Sequence, residues 1–389
     1  MESRNLIIGT VMGAGAAYSI VRGLQAWKAL HIAIRARETG SASYGRARRA
    51  IAVGGALRSL VGGTAFAFGP LAAHLSRAVA PLPRWSRPAA FLALAVALGA
   101  LFDLPVEFVE EYTLERSYGL TDQTPNAWFL ESFKGIALAS GLASLLGLLA
   151  GGMLRLTPKR WPVAASIALL PLLVLANLVV PLYVLPLFNS FEPLTGPLEA
   201  RLRKLASRFG VGGAEILRMD MSRQTKKANA FVTGIGKTHR IVLGDTLIDR
   251  FQAAEIEFVV AHELGHYVAR DTWRMIAAAE FSAMLLFFIA ARGIDLNRED
   301  DCVAIARIYA ILSAGALLLR PANNWFTRSR EWAADRFALA ATNDAKAGAA
   351  AFARLRDQNR AEDELPSWFE FIFASHPSLG KRIRALEHS

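Results

Sequence analysis

A single cysteine, Cys302, stands in 389 residues, so no intrachain disulfide can form and no thiolate-based metal site is available. Charged side chains are also scarce, at 20%. Their balance is strongly positive, +11, yet no compact basic motif interleaved with aromatics appears, which argues against a nucleic-acid partner. Histidine is thin, with only seven residues. The matching excess is apolar: 53% of the chain is hydrophobic and the mean hydropathy is positive. That is rich for a soluble domain and points to several passages through a lipid bilayer, with the positive charge placed in cytoplasmic loops.

Seven apolar segments emerge, at residues 5–21, 50–74, 88–108, 135–154, 161–188, 275–291 and 302–319. The first could be a signal peptide, but the chain runs on through "GLQAWKALHIAIRARE" to further spans, so a retained span is expected. Prolines inside the fifth should kink it rather than abolish it. Four ionisable residues, Arg58, Asp103, Glu280 and Arg307, fall at membrane depth. Charges facing lipid cost about 2.5–3.5 kcal/mol, so all four should face inward, either as interhelical ion pairs or around a water-filled cavity. Between the first two spans lie Arg22, Lys28, Arg35, Arg37, Arg46, Arg48 and Arg49 against Glu38 alone, whereas "GIDLNREDD" between the last two is acidic. This asymmetry sets the amino terminus outside and puts 192–272 and 320–389 together on the cytoplasmic side.

The polar insert has a different texture. "PLEARLRKLASRFG" reads as an amphipathic helix closed by Gly210, and "AEILRMDMS" and "KANAFVTGIGKTHRIVLGDTLI" read as short strands. "DRFQAAEIEFVVAHELGHYVAR" returns to helical period. It contains His262-Glu263-x-x-His266, two imidazoles one helical turn apart on one face, the spacing that offers adjacent corners of a tetrahedral Zn²⁺ site. Alone, such a pair could be ordinary helix histidines. A catalytic site needs a third protein ligand, and "NNWFTRSREWAAD" supplies Glu331, with Asp335 one turn on to accept a hydrogen bond from a ligand histidine. The zinc ion acts as Lewis acid, Glu263 as general base and acid, and His376 in "ASHPSLGKRIRAL" is the candidate donor to the oxyanion.

With these blocks in place the chain resembles the integral-membrane zinc metalloproteases of the Ste24 type, the CAAX prenyl proteases of peptidase family M48. "LPVEFVEEYTLERSYGLTDQTPNAWFLESFKG" (104–135) is similar to the family's amino-terminal signature, and "AHELGH", "NNWFTRSREWAAD" and "HPSLGKRI" to its active-site blocks. The smaller Htp-type membrane proteases share only the zinc blocks. The resemblance implies a mainly α, polytopic membrane protein: seven transmembrane helices form a hollow bundle, with a zincin-like domain and its small β-sheet on the cytoplasmic side. It divides the chain into a membrane region, 1–191, and a peptidase domain, 192–389, that contains the last two spans. It implies one zinc per chain held by His262, His266 and Glu331. It further implies that Asn229, Ala230 and Phe231 form an edge to which a peptide or protein substrate, prenylated in eukaryotic members, adds as a β-strand, and that Asn324 and Arg382 lie near that substrate. The arginine- and alanine-rich composition suggests a bacterial chain, hence the inner membrane. Two other classes compete. A zinc-binding scaffold without activity needs a fourth protein ligand, and a transporter leaves the histidine motif unexplained.

Overall fold

The computed structural model describes residues 41–234, 238–296 and 298–389. The first expected span, 5–21, lies outside the described residues. Among those described, six helices are long and apolar enough to cross a membrane. Helix α1 runs Ser41–Phe68 and stops at Gly69, where Pro70 opens a separate short helix, Pro70–Val79. The expected span 50–74 therefore begins and ends earlier. Proline lacks the N–H that would continue a helix but suits a first turn. Helix α2, Arg87–Glu107, passes through a π-helical turn, Phe108–Thr113, into Leu114–Ser117. Helix α3, Pro125–Leu156, starts where the Thr124 hydroxyl accepts from the Ala127 N–H, a side-chain cap followed by proline. Helix α4, Trp161–Val179, carries Pro171 inside and continues in π and 3₁₀ turns to Leu187. Its prolines modulate the helix without ending it.

These helices carry apolar side chains outward, with Leu145 59% and Ile167 71% exposed, a surface suited to lipid and not to water. Between helices, small residues allow close approach. Gly147 and Gly151 stand four apart on α3, and a Cβ on them would lie 2.3 Å from Pro88 O and 2.5 Å from Pro88 Cγ of α2, the small-xxx-small contact of membrane helix pairs. Two of the expected intramembrane charges are paired: Arg58 forks onto Glu110 at 2.6 and 2.7 Å, and Arg307 pairs with Glu299.

The second half of the chain builds a mixed sheet of β1 (Phe191–Pro193), β2 (Glu215–Met219), β3 (Ala230–Thr233) and β4 (Arg240–Gly244) in the order β1-β2-β4-β3. Helix α5, Pro197–Arg208, links β1 to β2. The β2–β4 pair is parallel and the other two are antiparallel. Ile216, Ala230, Ile241 and Leu243 face a buried core shared with Phe258, Val260 and Leu264 of α6, Ala253–Val268. Leu217, Met219 and Val242 face the other way, with Phe191 and Phe231. Alternation along each strand produces this split. Helix α6 starts in a reciprocal cap between Gln252 and Glu255.

Helix α7 runs Asp271–Gly293 and α8 Asp301–Thr342. The expected span 302–319 is thus the first half of one 42-residue helix that continues through Pro321. Three shorter helices close the chain: α9 (Ala345–Gln358), α10 (Ser367–Phe373) and α11 (Leu379–Glu387).

Candidate metal centre

His262 and His266 project from one face of α6. Gly265, between them, lies against α8. A Cβ there would sit 3.1 Å from Phe337 Cδ1 and 3.2 Å from the Ala334 Cα, so the missing side chain lets α8 approach and present Glu331. His262 Nε2 and His266 Nε2 are 3.2 Å apart, His262 Nε2 is 3.4 Å from Glu331 Oε2, and His266 Nε2 is 3.3 Å from Glu331 Oε1. The ligand atoms of a tetrahedral zinc with bonds of about 2.0–2.1 Å are separated by about 3.3 Å. Glu331 Oε2 is buried without a hydrogen bond, an orphan that a cation would satisfy. Two imidazoles and one carboxylate therefore fit a single divalent ion.

The other ring nitrogen of each histidine is already engaged. His262 Nδ1 lies 2.9 Å from Asp335 Oδ1, and His266 Nδ1 lies 3.0 Å from Asp271 Oδ2. Ionised carboxylates only accept, so each Nδ1–H donates and each Nε2 lone pair is turned to the common centre. Arg382 Nε donates to Asp335 Oδ2 at 2.8 Å, and Arg330 Nε donates to Asp271 Oδ1 at 2.7 Å. Both carboxylates are buried, and each has a guanidinium to offset its desolvation. In the metal-free protein, burial alone would lower His262, but the neighbouring carboxylates of Asp335 and Glu331 outweigh this and push it up to about 9. His266 is raised in the same way, the Glu331 carboxylate at 3.3 Å outweighing burial.

Asp335 was legible as a bracing carboxylate from its spacing to Glu331, whereas Asp271 was not. It follows Arg270, which takes a left-handed backbone (φ 55°) between α6 and α7. That reversal returns Asp271 to the last turn of α6, and no periodicity rule signals such a contact.

A cavity of about 480 Å³ opens over the three ligand side chains, and Glu263, His376, Asn229, Ala230 and Arg382 share its wall. Removal from water holds the Glu263 carboxyl above its ordinary range, against the opposing pull of His262 and His266. His376 Nε2 stands 3.3 Å from Glu331 Oε1, with Nδ1 2.8 Å from Ser375 Oγ. Phe231 and Asn324 are not on this wall. Phe231 packs on the opposite sheet face, and Asn324 Nδ2 donates to the Ile372 carbonyl at 2.7 Å. Arg328 donates to the Glu370 and Ala374 carbonyls at 2.7 and 2.6 Å. This pins the segment before His376, a role that sequence reasoning did not find.

The profile described as "Peptidase family M48" matches residues 194–389, the half that contains every one of these side chains. The chain belongs to peptidase family M48. Residues 37–190 match "CAAX prenyl protease N-terminal, five membrane helices". Among curated relatives, the "Uncharacterized metalloprotease YhfN" of Bacillus subtilis is 25% identical, over 78% of this chain and 74% of its own. A "CAAX prenyl protease 1 homolog" of Oryza sativa is 30% identical, over 77% and 72%. The crystal structure of S. mikatae Ste24p superposes with a TM-score of 0.77 at 21% identity and covers 98% of both chains, so the two share a fold. The chain is a Ste24-type integral-membrane M48 metalloprotease.

In this M48 protease the membrane half reaches the sheet. The Lys226 N–H donates to the Leu120 carbonyl at 2.8 Å, Thr121 Oγ1 donates to the Gln224 carbonyl at 2.7 Å, and Lys227 Nζ lies 2.8 Å from Glu115 Oε2. The stretch 104–135 thus holds the segment that leads into β3.

Proposed function

We propose that this M48 protease is a zinc endopeptidase that cleaves peptide substrates near their carboxy termini, CAAX-type prenylated peptides among them. The observation that carries the reading is the convergence of three ligand atoms beside a cleft-lining glutamate that is not itself a ligand. His262, His266 and Glu331 would hold the ion. When bound, it supplies Lewis acidity to the scissile carbonyl and to the attacking water. Glu263 accepts a proton from that water and passes it to the leaving amine, and its raised affinity for protons suits the second step. His376, at the open side of Glu331, donates to the oxyanion. Asp335 and Asp271 fix the imidazole tautomers, and Arg382 keeps Asp335 ionised. Asn324 acts indirectly, by holding the Ile372 carbonyl of α10.

Substrate adds to β3 as a further strand. Strand β3 ends the sheet order, its Ala230 borders the cavity, and main-chain pairing aligns a peptide without reading its sequence. We place the division between membrane region and peptidase domain at 191/192. We place the cleft on the cytoplasmic side, from the charge asymmetry of the loops, and the chain in a bacterial inner membrane.

The test compares a farnesylated CAAX peptide with its unlipidated counterpart, each incubated with detergent-purified protein with and without a zinc chelator. Chelator-sensitive cleavage of the farnesylated peptide alone is expected. Equal cleavage of both peptides would favour unlipidated substrates of the Htp type. No cleavage of either would overturn the reading.

A further inference from the structure

Pairing along β3 has a definite parity. The Gly244 N–H donates to the Asn229 carbonyl at 3.0 Å, and Ala230, Phe231 and Val232 stand opposite Leu243, Val242 and Ile241. In an antiparallel ladder the bonded pairs alternate, so Asn229 and Phe231 direct their peptide groups to β4. Ala230 and Val232 direct theirs to the free edge, along which no described strand pairs. Ala228 has the same parity as Ala230 and would be the next pairing point for an added strand.

Ala228, however, is already taken. Its N–H donates to Asn359 Oδ1 at 2.8 Å, and its carbonyl accepts from Asn359 Nδ2 at 3.2 Å. A carboxamide offers the same donor and acceptor as a peptide group, so Asn359 makes the two bonds that a neighbouring strand residue would make. The side chain is firmly placed. It follows the last residue of α9, and its own N–H donates to the Leu355 carbonyl at 3.0 Å. Its neighbour Gln358 donates to the carbonyls of Lys226 and Thr246 at 2.7 and 3.1 Å. Ala228 and Asn359 both belong to the cavity wall that contains Glu263, so the blocked point lies within the cleft.

We propose that Asn359 is a register stop: a positioning residue that ends the pairing edge at Ala230, so that a substrate strand pairs only with Ala230 and Val232. The inference deepens the strand-addition reading above and rests on it. Its consequence is a restriction on backbone register. Past Ala230 the substrate must leave the edge, and this limits which peptide bond can lie over Glu263 whatever the side chains are.

N-methyl scanning of a substrate peptide tests this. Each backbone amide of a peptide cleaved by the zinc-loaded, detergent-purified enzyme is methylated in turn, which removes one donor. In wild type, two amides spaced two residues apart are expected to be sensitive, each losing roughly tenfold in cleavage rate, while the next amide of that parity toward Ala228 is silent. In Asn359→Ala a third sensitive amide is expected there, with additional cleavage products by mass. A purely structural tie between α9 and the 226–228 segment would lower stability but add no third amide. Two sensitive amides in both enzymes, with identical products, would overturn the register stop and keep strand addition. Three sensitive amides in wild type would overturn it even if the variant does not fold. No sensitive amide in wild type would overturn strand addition, and the register stop with it.

Discussion

Asp335 and Asp271 take the Nδ1–H of His262 and His266 at 2.9 and 3.0 Å, so the two candidate ligand histidines are oriented independently. Asp335→Asn and Asp271→Asn should each weaken metal affinity by about 10–100-fold, measured by competition with a metal-binding dye, because an amide holds the ring less firmly than a carboxylate. Unchanged affinity in both would remove their bracing role. The proton on His262 makes a second prediction. Its folded value, about 9, lies above the ordinary imidazole value of about 6.5. In the metal-free protein its stabilising contribution is therefore complete below about pH 6.5 and is lost as the pH rises through about 9. The chelated protein should melt at a lower temperature at pH 9.5 than at pH 6, and a higher melting point at pH 9.5 would contradict the assignment. At pH 7 metal binding should also release protons, visible calorimetrically as a heat that depends on the buffer.

At the scale of elements, contacts made by absent side chains decide the packing. Gly147→Ala would drive a Cβ to 2.3 Å from the Pro88 carbonyl oxygen, and backbone cannot step aside cheaply. We expect a loss of about 1–3 kcal/mol, read as a lower melting temperature in detergent. Gly135→Ala, where nothing lies within 4 Å, should not lower it, since alanine favours a helix interior over glycine. If the two variants melt alike, the close contact between α2 and α3 is not what holds them. The elements also show where sequence suffices. His262, Glu263 and His266 were legible because helical period alone puts i and i+4 on one face. Glu331 was legible because catalytic zinc needs a third ligand. Asp271, Arg328 and Asn359 were not, since each acts through a chain reversal or a backbone carbonyl distant in sequence. Pro321 likewise gave no sign that span and ligand helix are continuous, because neighbouring groups can absorb a proline within a long helix.

For the whole molecule, the site side chains all lie in the second half of the chain, yet several of them are carried by helices long and apolar enough to cross a membrane. Glu331 and Asp335 ride on the helix that begins as a span, and Asp271 opens another. The membrane half holds the peptidase half through Ser76 to Asp300 at 2.6 Å, Arg155 to Asp301 at 2.8 Å, and the Leu120 carbonyl to Lys226 at 2.8 Å. Residues 192–389 produced alone should therefore bind metal less tightly than the full chain and cleave nothing. Co-production with 1–191 should restore both. Full activity of the isolated half would show that the membrane region does not position the cleft.

The central claim is that His262, His266 and Glu331 hold one zinc while Glu263 works on the substrate without holding the metal. Counting zinc and turnover together in wild type and Glu263→Gln tests this most directly. We predict one zinc per chain in both proteins and a loss of about 10²–10⁴-fold in turnover for the variant, the usual contribution of a general base. Loss of zinc from Glu263→Gln, or turnover equal to wild type, would contradict the account.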